Sequence, residues 1–127
     1  MLRLLMILSG SVEATFGLCC LAAPRIVIGM LLATQGDATG IVLARVLGAA
    51  TLALGAAALM ARNESETSGS PPAAAYGLGL YNVLAACVIL WAAGVAGLGG
   101  AQLWGAGLFH ALIGVLFVYA LATRRKT

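Results

Sequence analysis

The sequence predicts an all-α protein, a bundle of four transmembrane helices. Three observations carry that reading. Of 127 residues, 62% are hydrophobic and only 9% charged, against about 25% charged in soluble domains. The apolar residues gather into four runs, each close to the roughly 20 residues that one bilayer crossing requires. Little chain is left over between the runs, so a water-soluble core would have no use for so much apolar surface.

The first span is expected over residues 2–23, ending where Pro24 makes a continued helix costly. Its start, Arg3 followed by an apolar run and "LAAP", imitates a cleavable signal peptide. The run is longer than the 7–15 residues of such a signal and carries Glu13 at its centre, so retention is expected. The next stretch, "PRIVIGMLLATQGDATG", is too short in its apolar part to span; residues 24–39 are read as an interfacial segment or a half-helix against the bundle. The second span covers 40–61. "RNESETSGSPP" then supplies turn formers for an aqueous loop at 62–73. The third and fourth spans, 74–95 and 102–123, are joined by "GLGG", a turn that makes them an antiparallel hairpin.

Basic residues set the orientation. With the N-terminus inside, Arg3, Arg62, Arg124, Arg125 and Lys126 fall on the inner side and only Arg25 on the outer, which predicts cytoplasmic termini. The net charge of +3 is thereby a topology signal. These residues sit at span ends without interleaved aromatics, so no nucleic-acid partner is expected. The terminal "TRRKT" has fewer charges than a lipid-specific cluster needs. The second span, "LARVLGAATLALGAAALMAR", and the fourth, "LFHALIGVLFVYALATRR", share an early polar residue, a glycine soon after and an inner arginine. That echo allows a 2+2 parallel repeat about an axis along the membrane normal.

Each span carries one conspicuous polar residue: Glu13, Arg45, Asn82 and His110. Helical neighbours include small residues in every case: Ser9, Gly10 and Gly17 beside Phe16 around Glu13, Gly48 and Ala49 around Arg45, Gly79, Ala85 and Ala86 around Asn82, Ala106, Gly107 and Gly114 beside Ile113 around His110. Small-residue stripes are where membrane helices approach closely, so all four should face the interior. At 1.5 Å per residue, Glu13 falls near the midplane, with Arg45 about 7 Å toward the outer surface. A buried Glu13–Arg45 pair with His110 in reach is the expectation, and Asn82 lies too far inward to meet Arg45. Such a cluster serves either to fix helix register or as a proton or ligand site.

Tyr76, Trp91, Trp104 and Tyr119 fall toward span ends as an aromatic belt, whereas Tyr81, beside Asn82, is kept as a cavity-lining candidate. Cys19, Cys20 and Cys87 have no ligand spacing and read as small apolar residues. His110 has no second His at i+3 or i+4, so no metal site is expected, and no cofactor motif occurs.

At "PRIVIGMLL" and "ARVLGAATLALGAAALMARN" the chain resembles a group of small bacterial four-helix membrane proteins of unknown function, DoxX-like in style. The likeness lies in the proline and glycine after the first span, Arg45 with Gly48 and Gly55, and His110. It implies the architecture and a bacterial inner-membrane location, and brings no activity. The chain is also similar to the small multidrug resistance transporters, which have four short helices and a glutamate in the first, here Glu13. It departs from them in Arg45, in its long polar loop and in its third span. Three functions follow as expectations. The first is an accessory or interaction subunit, self-associated or within a larger membrane complex, or a binder of a hydrophobic small molecule. The second is a proton-coupled transporter using Glu13. The third is an enzyme on a lipid-like or isoprenoid substrate, with Glu13 and His110 as acid and base.

Overall fold

In a computed structural model, residues 1–64 and 70–124 are described. The middle of the predicted 62–73 loop, together with Arg125 and Lys126 of the predicted inner charges, lies outside them. The described chain is all helix and connection: α1 (Leu2–Ala22), α2 (Pro24–Leu32), α3 (Ala38–Ala61), α4 (Ala73–Gly94) and α5 (Ala101–Arg124). α1, α3, α4 and α5 are each long and apolar enough to cross a membrane. The four predicted spans thus agree with the observed helices to within two residues at each end.

The connections follow their local chemistry. Pro24 takes the first position of α2, where its missing N–H would be unpaired anyway and its fixed φ suits a helix. Proline therefore ends one helix and starts another in the same turn of chain. α2 closes at Ala33, in the left-handed region at φ 53°. Asp37 caps α3, its Oδ1 accepting from the Gly40 N–H at 2.7 Å. Between α4 and α5, Gly97 and Gly99 take positive φ. A Cβ on Gly99 would also clash with the Leu31 carbonyl oxygen, so the turn seats directly on the end of α2.

The helices pack as two pairs, α1 on α3 and α4 on α5. The first pair is antiparallel and held by absent side chains. Gly10 faces Gly55 and Gly17 faces Gly48, so each helix has two glycines one heptad apart. A Cβ on Gly17 would lie 2.6 Å from the Gly48 carbonyl oxygen and from the Leu52 nitrogen. Backbones this close gain dispersion contacts along their length, the means by which helices associate when lipid is as apolar as leucine. The second pair interlocks by knob and notch: Phe117 against Gly79, Leu90 against Gly107, Val83 against Gly114.

The apolar core lies toward the end of the bundle where α1 begins and α5 finishes. Leu2, Leu5, Met6, Ala58, Leu78 and Phe117 are its buried centre. Outward-facing Leu4, Leu8, Leu43, Leu80, Leu108 and Leu112 are about half exposed or more, as an outer surface in contact with acyl chains requires.

Candidate functional site

One turn of helix beyond that core, the two pairs meet through a polar layer. Ser9 is 0% exposed, Glu13 1% and Asn82 0%, from α1, α1 and α4. Asn82 is the hub. Its Nδ2 donates to the Leu78 carbonyl at 2.8 Å and to Ser9 Oγ at 3.1 Å. A backbone carbonyl only accepts, so it fixes the nitrogen end of the amide toward Leu78. The amide oxygen then faces α5, where His110 Nδ1 lies 2.9 Å from Asn82 Oδ1. That oxygen is an acceptor, so Nδ1 carries the proton and donates. A single asparagine thereby sets the tautomer of the neutral histidine.

Glu13 stands beside the same ring. Its Oε1 is 3.8 Å from His110 Nδ1, too far for a hydrogen bond and close enough for strong electrostatic coupling. Oε1 has no hydrogen-bond partner although it is buried. The Tyr81 side chain interacts with the Glu13 carboxyl. Its ring also meets the His110 imidazole edge-on, with centroids 5.7 Å apart at 84°, and Phe109 closes the other side at 5.7 Å and 73°. Buried polar atoms in native proteins almost always have partners, so a carboxylate oxygen left without one beside an imidazole is the chemical peculiarity of this fold.

Glu13, Tyr81, Asn82 and His110 are thus brought together, and the predicted approach of His110 to Glu13 is observed. Arg45 is not part of the group. It is exposed on α3, and the expected buried Glu13–Arg45 pair does not form. Two physical reasons account for this. The face of α3 turned to α1 runs through Gly48, Thr51, Gly55 and Ala58, and Arg45 follows Ala44 by 100° away from it. The glycine register also places Arg45 level with Cys20, about 10 Å along the axis from Glu13. The buried ionisable pair is therefore Glu and His without Arg.

Ser9 is a site residue that sequence reasoning did not single out. It lies one turn before Glu13 on the same stripe, and that i−4 spacing was the available signal. Thr51, also buried, returns its hydroxyl to its own helix at the Leu47 and Gly48 carbonyls and takes no part.

A second feature lies around α2. Because α2 is too short to span, it leaves a cleft on each flank. The cleft between α1 and α2 measures about 800 Å³ and is lined by Val12, Phe16, Leu18, Cys19, Ile26 and Met30 among others. The opposite one, toward α3, measures about 790 Å³ and includes Cys20, Ile28, Leu32 and Leu47. Neither is lined by Glu13 or His110. Among the described residues no group of three or more His, Cys, Asp or Glu gathers as metal ligands would. No family model matches the chain, and no curated protein or solved structure matches it either.

Proposed function

We propose that this multi-pass membrane protein, of a bacterial inner membrane with cytoplasmic termini, binds a hydrophobic chain-bearing ligand in the cleft between α1 and α2. The observation that supports this reading is the cleft itself. It falls in the 300–1,000 Å³ range of small-molecule sites, its walls are almost wholly apolar, and it flanks a helix that cannot span. The polar layer works beside it as the element that fixes how the two helix pairs meet.

A native cysteine makes the test simple. Cys19 lines the cleft and is exposed, Cys87 is exposed on α4 away from it, and Cys20 is buried. In detergent, a lipophilic maleimide should modify Cys19 and Cys87. Adding dioleoylphosphatidylcholine should slow modification at Cys19 and leave Cys87 unchanged. Equal slowing at both cysteines would refute binding at the cleft.

A second reading is favoured by the unpartnered Glu13 Oε1, 3.8 Å from His110 Nδ1. Carboxyl and imidazole so placed need only one bridging water or a small side-chain rotation to exchange a proton, which would serve a proton-coupled function. Proteoliposomes carrying a pH gradient would decide it, through dissipation that Glu13→Gln abolishes.

A further inference from the structure

The two apolar clefts are joined by a third, of different chemistry. It measures about 330 Å³ and is lined by Arg25, Ile26, Gly29, Thr34, Gln35 and Gly36. Ile26 is shared with the α1-side cleft; Thr34, Gln35 and Gly36 are shared with the α3-side cleft. The arrangement follows from the helical period of α2. Val27 and Leu31 touch both apolar clefts, Ile26 and Met30 line the first, Ile28 and Leu32 line the second, and Arg25 and Gly29 take the remaining face.

The lining of the third cleft is rich in donors. A guanidinium offers five N–H groups, and the threonine hydroxyl and glutamine amide add more. No Asp or Glu lines it. Asp37, which lines the adjoining rim of the α3-side cleft, has its Oδ1 occupied by the Gly40 N–H. A cationic donor pocket therefore adjoins two mainly apolar clefts of nearly equal size, one on each side of a short helix.

We infer that the ligand is a two-chain glycerophospholipid with a net anionic headgroup, one acyl chain on each flank of α2 and the phosphate over Arg25. The inference rests on the chain-binding reading above and adds to it the headgroup charge and the chain number. Geometry decides the chain number: a single-chain fatty acid would occupy one flank and leave its equal empty. Charge complementarity decides the headgroup: the guanidinium pairs with the phosphate through parallel hydrogen bonds, and no acid lines this cleft to balance a cationic choline or ethanolamine.

Protection of Cys19 from maleimide tests this on the full chain in detergent. Dioleoylphosphatidylglycerol, net anionic, should protect at about threefold to fivefold lower concentration than dioleoylphosphatidylcholine, the size of effect an exposed ion pair exerts. Arg25→Gln should erase that preference, weakening phosphatidylglycerol more than phosphatidylcholine, while an unchanged far-UV circular dichroism spectrum reports that the variant is folded; Arg25→Lys should keep part of the preference. A preference that survives Arg25→Gln would overturn the headgroup site while leaving chain binding intact. Oleate or a one-chain lysophosphatidylglycerol protecting as well as the two-chain lipid would overturn the chain assignment. Failure of every lipid to protect Cys19 would instead reject the underlying reading of the cleft.

Discussion

Replacing Gly17 by alanine tests the basis of the α1–α3 contact. The added Cβ would meet Gly48 O and Leu52 N at 2.6 Å, and Leu52 Cβ at 2.8 Å. Real Cβ atoms essentially never approach within 3.0 Å, so the shortfall is about 0.4 Å against two backbone atoms. Backbone inside a helix cannot swing aside as a flexible side chain can. The two helices must separate, and the separation propagates to the Gly10–Gly55 crossing one heptad away. Overpacking of a filled interface costs typically 1–3 kcal/mol, and the upper half of that range, about 2–3 kcal/mol, is expected here. Gly105→Ala is the control, because a Cβ there meets nothing within 4 Å. That change should be neutral or stabilising by up to about 1 kcal/mol, the helix-propensity difference. Equilibrium unfolding in mixed micelles of sodium dodecyl sulfate, followed by far-UV circular dichroism, reads both. If Gly17→Ala unfolds within about 0.5 kcal/mol of the parent, the close backbone approach is not what holds α1 to α3.

Three further outcomes follow from the polar layer and the caps. A double-mutant cycle of Ser9→Ala and Asn82→Leu should give a coupling near 0.6 kcal/mol and no more than about 1.7, the measured span for interhelical hydrogen bonds in membranes; strict additivity in the unfolding titration would show that the 3.1 Å bond contributes nothing. Glu13→Gln and Arg45→Gln should add within about 0.5 kcal/mol, since the two residues share no partner, whereas a double mutant more stable than either single would restore the ion pair that the fold denies. Asp37→Ala should cost about 1 kcal/mol through loss of the α3 cap, and hydrogen exchange at the Gly40 amide should speed up while the α4 amides stay unchanged.

Much of the fold was legible because hydropathy and turn chemistry act locally. The spans, the hairpin turn at Gly97 and Gly99 and the short segment after Pro24 each answer to a few neighbouring residues. Glu13, Asn82 and His110 were legible as interior groups for a related reason: each stands on a stripe whose opposite face carries large apolar residues. Arg45 was misread because α3 lacks that contrast. Ala49, Ala50, Ala53, Ala56 and Ala57 are exposed while Gly48, Gly55 and Ala58 are buried, so small residues surround the helix and select no face. The face is chosen by glycine, since only a missing Cβ lets the α1 backbone reach contact, and that choice depends on the partner helix. The clefts beside α2 were hidden for the same reason. Ile26 and Met30 are ordinary apolar letters, and only the placement of α2 across the bundle turns them into walls.

The polar layer is divided between the two helix pairs in a way that bears on biosynthesis. Ser9 and Glu13 belong to the first pair; Tyr81, Asn82 and His110 belong to the second. A chain made from its N-terminus completes α1 and α3 first, and their glycine contact can close by shape alone. Until α4 and α5 arrive, Glu13 lacks the Tyr81 and His110 neighbours that meet it in the finished bundle. Docking of the second pair covers that carboxyl and supplies Ser9 with its amide. Glu13 thus marks the unfinished protein: it is a carboxyl whose polar neighbours come with the second half of the chain, so the site exists only when the whole bundle does.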